Sequence, residues 1–186
     1  MKKNHNEILY TSAPIETQRL LLRRPMPEDA TAILEYGSDK KVLEHLLWAG
    51  VSNLEEARVS LYDYLIPNLG CFMIEVKDTQ HCIGSFDLRL NPQHNKASFG
   101  FCLNSKHWGQ GYMTETLQAM LQLCFERLEL NRVEASCYYG NEGSGRVQEK
   151  CGMLLEGYAH QAVLVKGSYR DEYYYGITKE RWLELQ

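Results

Sequence analysis

No stretch of the 186 residues approaches the roughly 20 consecutive apolar residues that a membrane-spanning helix requires. That absence excludes a helical span, and no membrane partner is expected. The N-terminus, MKKNHNEILYTSAP, is basic but lacks the apolar core of a secretory signal. A cytoplasmic protein with reduced thiols is therefore expected. The six cysteines, at 71, 82, 102, 124, 137 and 151, form no CxxC pair, and the six histidines are scattered. Neither set has the short ligand spacing of a zinc site, so no metal is expected. The cysteines read as small buried hydrophobes. Positive charge is not in excess: 20 Lys and Arg face 24 Asp and Glu, a net charge of -4. Nothing electrostatic favours nucleic acid, whereas a mildly acidic surface tolerates a basic acceptor. There is no linker, internal repeat or low-complexity tract, and residues 1–186 are expected to form one domain.

What remains is ordinary globular composition, 44% hydrophobic and 24% charged. Residues 17–24, TQRLLLRR, read as a first strand stopped by Pro25. Pro27 with Glu28 and Asp29 marks a helix start. Ser52 and Glu55 match a capping box, and Leu54, Ala57, Leu61 and Leu65 share one face of the helix that follows. Three strand-like runs, 72–77, 82–90 and 97–103, are divided by DTQH and NPQHN turns. A long helix is predicted after residue 111, with Met113, Leu117, Met120, Leu121, Cys124 and Leu128 as its core stripe. Residues 132–138 form another strand, parallel to the one before the helix, because a helical crossover joins parallel neighbours. A short helix ending at Gly152, two strands around 166–168 and a last short helix complete an α/β chain with a mixed, mostly antiparallel sheet.

Between strand and helix lies HWGQGYMTE, residues 107–115. Two glycines one residue apart fit either a phosphate lying on bare amides at a helix start or a tight turn. No Gly-Lys-Ser/Thr follows, which excludes a Walker A loop. A third glycine is missing and the preceding strands are antiparallel in type, which excludes a dinucleotide fingerprint.

The loop in this setting resembles the GNAT superfamily of acyl-CoA-dependent N-acyltransferases, whose Gln/Arg-x-x-Gly-x-Gly/Ala signature aligns with Lys106, Gly109 and Gly111. TQRLLLR, WGQGYMTE, NEGS, CGMLLEG and KGSYRDE, in that order, resemble the branch of ribosomal-protein N-terminal acetyltransferases. The resemblance covers about residues 17–183. It implies a GNAT fold and acetyl-CoA as acetyl donor, with no metal. The pyrophosphate would lie on the amides of Gly109, Gln110, Gly111, Tyr112 and Met113, near the charge of Lys106. The backbone of Phe101 and Leu103 would pair with pantetheine where the two parallel strands splay. Asn141 and Ser144 match the branch's Asn-x-x-Ser: the amide would hold pantetheine and the hydroxyl would donate to the thiolate. Asn141 equally suits a plain helix cap.

The proton acceptor is less defined. Val163 and Ser98 stand where some relatives carry glutamates. His160 and Asp87 are the candidates left, each also readable as an ordinary strand residue. Asp171 would orient the substrate amine or hold its hairpin. Cys102 and Cys137 have no neighbouring activator in sequence, which favours direct attack of the amine on the thioester. The acceptor implied is a protein N-terminus, such as that of a ribosomal protein. The alternatives are a small amine (polyamine, amino sugar or antibiotic) or a non-catalytic acyl-CoA-binding module. A monomer or homodimer is expected.

Overall fold

The computed structural model describes residues 4–186. Eight strands form one sheet: β1 (Ile15–Glu16), β2 (Leu20–Arg23), β3 (Cys71–Val76), β4 (His81–Asn91), β5 (Lys96–Leu103), β6 (Arg132–Tyr138), β7 (Leu154–Val165) and β8 (Ser168–Thr178). Their spatial order is β1-β2-β3-β4-β5-β6-β8-β7. Every neighbouring pair is antiparallel except β5–β6. That one parallel pair needs a crossover, which is α5 (Tyr112–Gln122) continuing through a wider turn over Leu123–Arg127.

The remaining helices are α1 (His5–Ser12), α2 (Ala30–Gly37), α3 (Lys40–Leu43), α4 (Leu54–Ser60), α6 (Glu142–Lys150) and α7 (Lys179–Glu184). They cover both faces of the sheet. β3 shows how the core divides: Phe72 and Ile74 enter the cluster with α5, while Cys71 and Met73 join α2 and α4, all four fully buried. Alternation along the strand sends successive side chains to opposite faces. The stripe from Met113 to Leu128 is buried as its spacing predicts.

The capping box of α4 sits one residue later than Ser52 and Glu55. Asn53 is the cap, accepting from the Glu56 amide at 3.0 Å, and the Glu56 carboxylate accepts from the Ser52 amide at 2.8 Å. Asparagine caps at least as well as serine, and this shift lets both residues bond Glu56. β2 starts at Leu20 rather than Thr17, because the Thr17 hydroxyl accepts from the Leu20 amide and closes a turn there. The helices α1 and α3 and the two-residue β1 carry no signal noted in the sequence. α1 lies over the core through Leu9, which is buried.

Beside β2 lies a partly buried ion network. Arg23 bonds both carboxylate oxygens of Asp29, at 2.7 and 2.8 Å, and reaches Glu75 at 2.6 Å. Asp29 also accepts from the Met26 amide and so joins the start of α2 to the sheet.

Candidate active site

β5 and β6 pair only over Lys96↔Arg132, Ala97↔Val133 and Ser98↔Glu134. Past Ser98 the two strands separate. The edge of β5 that faces β6 is thus free along residues 99–103, and Phe101 and Leu103 lie on that stretch.

On one side of the opening, a cavity of about 470 Å³ is lined by Leu103, Gly109, Gly111, Tyr112 and Met113 together with residues of α6. Gly109 and Gly111 have φ of 74° and 82°, the left-handed region that glycine enters without strain. Gly111 is the N-cap of α5 and has no side chain to satisfy the first amides of the helix. A Cβ at Gly109 would meet nothing within 4 Å, so the space in front of the loop is open to a ligand. Uncapped amides and the helix dipole suit an anion. His107, Arg146 and Lys150 on the cavity wall add positive or protonatable groups. The backbone turns at the two glycines and presents bare amides at the start of α5. Gln110 and Lys106 are exposed and are not among the residues lining the cavity. The Gln110 carbonyl accepts from Arg19 at 2.9 Å, and the Lys106 amide caps onto Asn104 at 3.1 Å.

On the other side, a cavity of about 580 Å³ lies among β4, β5, β6, β8 and the segment 45–48, with Tyr36, Trp48, Tyr64, Phe99 and Tyr138 in its wall. His45, Leu46, Phe101, Cys102, Asn141 and Ser144 line both cavities. The two spaces therefore meet at the start of α6. Asn141 caps that helix: its Oδ1 accepts from the Ser144 amide at 3.2 Å. Capping uses the oxygen and leaves the amide nitrogen for a ligand. The Ser144 hydroxyl oxygen accepts from Gln148 Nε2 at 3.3 Å.

Asp87 lines the second cavity, and its carboxylate is held by Tyr64 at 2.5 Å, Arg89 at 2.7 Å and Asn68 at 3.2 Å. His160 is not among the residues lining either cavity. It lies on β7, the outermost strand at that end of the sheet, with β8 between it and β6. Its Nδ1 pairs with Asp171 at 2.9 Å. Asp171 also accepts from the Tyr158 hydroxyl at 2.5 Å and the Gln161 amide at 2.8 Å. It ties down the irregular stretch of β7 where pairing shifts between Ala159 and Val163. Of the two roles open to Asp171, holding the hairpin is the one these bonds describe. The turn of that hairpin reaches across the molecule, where Lys166 Nζ donates to the Leu43 carbonyl at 2.6 Å.

All six cysteines are free thiols. Burial pushes Cys102 up to about 12. Burial, then the charge of Glu172, push Cys137 up to about 11. Both stay protonated at neutral pH and are poor nucleophiles. No group of three or more His, Cys, Asp or Glu among the described residues could hold a metal ion. No described helix is long and apolar enough to cross a membrane.

Four residues escaped the sequence. Gln148 is polar and fully buried. Glu172 lines the second cavity. Arg19 and Glu115 sit in separate motifs, yet pair at 2.7 Å behind the glycine loop.

Residues 19–154 match the family described as acetyltransferase (GNAT) domain. The uncharacterized N-acetyltransferase YnaD of Bacillus subtilis (strain 168) is 31% identical, over 90% of this chain and 98% of that protein. The crystal structure of a GNAT-family acetyltransferase from Bacillus anthracis has a TM-score of 0.82 at 30% identity, covering 89% of this chain and 98% of that one. The ribosomal-protein-serine acetyltransferase of Escherichia coli (strain K12) is 33% identical over a shorter stretch, 54% of this chain and 55% of that protein. Fold and relatives together define an N-acetyltransferase. The chain belongs to the GNAT acetyltransferase family, and the reading of a non-catalytic module is set aside.

Proposed function

We propose that this enzyme transfers an acetyl group from acetyl-CoA to the N-terminal amine of a protein or peptide, in the cytoplasm, by direct attack on the thioester. The observation that carries the reading is the meeting of the two cavities at Asn141 and Ser144. The first cavity fits the donor: amides of residues 109–113 for the pyrophosphate, the free edge of β5 for pantetheine, and the Asn141 amide nitrogen for its carbonyl. The second cavity admits the amine. Ser144, placed in both, donates its hydroxyl to the sulfur as negative charge develops there. The protonated state of Cys102 and Cys137 supports direct transfer without an acyl-cysteine.

The acceptor follows from acid–base chemistry. An α-amine titrates near 7.7–8.0 and a lysine near 10.4, so about a tenth of α-amines but well under a thousandth of lysines are neutral at about pH 7. Of the two, the α-amine needs the smaller contribution from the protein to reach its reactive neutral form. The ribosomal-protein-serine acetyltransferase of Escherichia coli, similar over about half the chain, supports a ribosomal protein as the natural acceptor.

Thiol release from acetyl-CoA tests this with two peptides, one with a free N-terminus and no lysine, the other blocked at its N-terminus and carrying lysine. The free N-terminus is expected to be the better substrate, with a rate at subsaturating peptide that rises towards about pH 8 with the amine's own titration. Preference for the blocked peptide, or for a polyamine or amino sugar over both, would overturn the acceptor.

A further inference from the structure

Two carboxylates line the acceptor cavity, Asp87 and Glu172, and their surroundings differ. Asp87 carries a cation, with Arg89 Nε 2.7 Å from its Oδ2. Glu172 carries none: its Oε1 accepts from the Ser136 hydroxyl at 2.6 Å and its Oε2 from the Tyr174 hydroxyl at 2.7 Å. No Lys, Arg or His among the described residues forms an ion pair with it. Two neutral hydroxyls fix the position of a carboxylate without cancelling its charge, and each oxygen keeps accepting capacity.

Its place follows from the sheet. β8 lies beside β6, and Glu172 pairs in register with Tyr138, three residues before Asn141. It therefore lines the cavity with Ser136, Cys137, Asn141 and Ser144, on the opposite side of the open β5–β6 seam from the Asp87–Arg89 pair on β4. The titratable groups that feel its charge are Cys137 and Tyr138 on β6 and Tyr174 on β8, with Arg170 acting on Tyr138 and Glu149 on Cys137; Tyr36, His45, Tyr64 and the Asp87–Arg89 pair line the same cavity. From β7, its partner Ala159 offers no titratable group and the Tyr158 hydroxyl is committed to Asp171. Burial first and Glu172 second hold Tyr138 above the usual tyrosine range, with Arg170 opposing.

We propose that Glu172 is the catalytic residue that receives the acceptor's ammonium group and takes its proton. An anion fixed by hydroxyls, facing a cavity and lacking a counter-ion, is suited to a ligand that supplies the positive charge. The class of ligand is a primary ammonium. The inference rests on the acetyl-transfer reading given above.

The step balances without any further reagent. The ammonium passes one proton to the Glu172 carboxylate and becomes an amine. The nitrogen lone pair forms the bond to the thioester carbonyl carbon, and the carbon–sulfur bond breaks. The second proton on nitrogen goes to the departing sulfur, with the Ser144 hydroxyl bonded to that sulfur. Glu172 returns its proton to solvent, so one ammonium and one thioester give one amide, one thiol and one free proton.

The test compares wild type with Glu172→Gln and Glu172→Asp. Glutamine keeps an oxygen for the hydroxyls and cannot accept a proton at neutral pH. For Glu172→Gln, kcat/KM towards an α-amine should fall about tenfold at pH 7, where about a tenth of the amine is already neutral. The deficit should shrink as pH rises towards the amine's own pKa, because solvent then supplies neutral amine. The acetyl-CoA-induced rise in Tm should be unchanged, and Glu172→Asp should recover part of the rate. A Glu172→Gln enzyme within about threefold of wild type at pH 7, or a deficit independent of pH, overturns the role of Glu172 while leaving acetyl transfer standing. A wild type that binds acetyl-CoA but acetylates no amine overturns both.

Discussion

Ser144 faces two ways. Its backbone amide belongs to the cap of α6, donating to Asn141. Its hydroxyl oxygen accepts from Gln148, so the hydroxyl hydrogen is left for an acceptor in the cleft. Gln148 is fully buried and its Oε1 has no partner among the described residues. A buried amide retained at that cost is consistent with a positioning role for the serine. In the proposed reaction the Ser144 bond strengthens only as sulfur becomes anionic, so it acts on the transition state more than on the bound donor. Ser144→Ala should lower kcat about 10²-fold and leave the acetyl-CoA dissociation constant within about twofold. Titration calorimetry beside steady-state kinetics separates the two. Equal losses in affinity and rate would make Ser144 an ordinary ligand contact. Asn141 and Ser144 were legible because four consecutive letters, NEGS, carry them. Gln148 was not, since its burial depends on how α6 settles against the sheet.

At the scale of elements, the donor loop is held from behind by the turn before β2. Glu115, in the first turn of α5, accepts from the Thr17 hydroxyl at 2.6 Å, the Arg19 amide at 2.7 Å and the Arg19 guanidinium at 2.7 Å. Arg19 then bonds the Gln110 carbonyl and lies 4.5 Å over the Tyr112 ring. TQR and YMTE were both visible as motifs, but nothing in a single sequence joins residues 96 positions apart. Burial alone would raise the Glu115 carboxyl; the bonds from Thr17 and Arg19 outweigh it and hold the group below the usual glutamate range. A depressed acid stabilises above its unfolded pKa, about 4.3, and that contribution disappears as pH falls through its lower folded value. Glu115→Gln should therefore be less stable than wild type at neutral pH, and the difference should vanish under strong acid, as read by urea unfolding across pH. The same variant should weaken acetyl-CoA binding about three- to tenfold with kcat little changed, because the loop is loosened but the reacting groups stay in place. A difference in stability that persists unchanged into acid would show that the Thr17–Arg19 bonds act through packing rather than charge.

At the scale of the whole molecule, one departure from antiparallel order among the described residues opens the proposed site. β5 and β6 share three paired positions and then diverge, and the loops and helix starts proposed to carry the chemistry sit at that opening. The parallel pair was readable because a long amphipathic helix separates two strand patterns. The strand order β6-β8-β7 was not, because pairing between distant strands leaves no local trace in sequence. The same limit separated His160 from the cleft: its strand was identified, but not that β8 would lie between it and β6. Donor and acceptor spaces should accordingly be two ends of one channel. The most direct measurement is the affinity of a conjugate in which the α-nitrogen of a peptide is joined through an acetyl spacer to the sulfur of CoA. If the spaces meet at Asn141 and Ser144, the conjugate should bind about 10²–10⁴-fold more tightly than acetyl-CoA, since the second contact becomes intramolecular. A conjugate that binds no better than acetyl-CoA would contradict the shared channel.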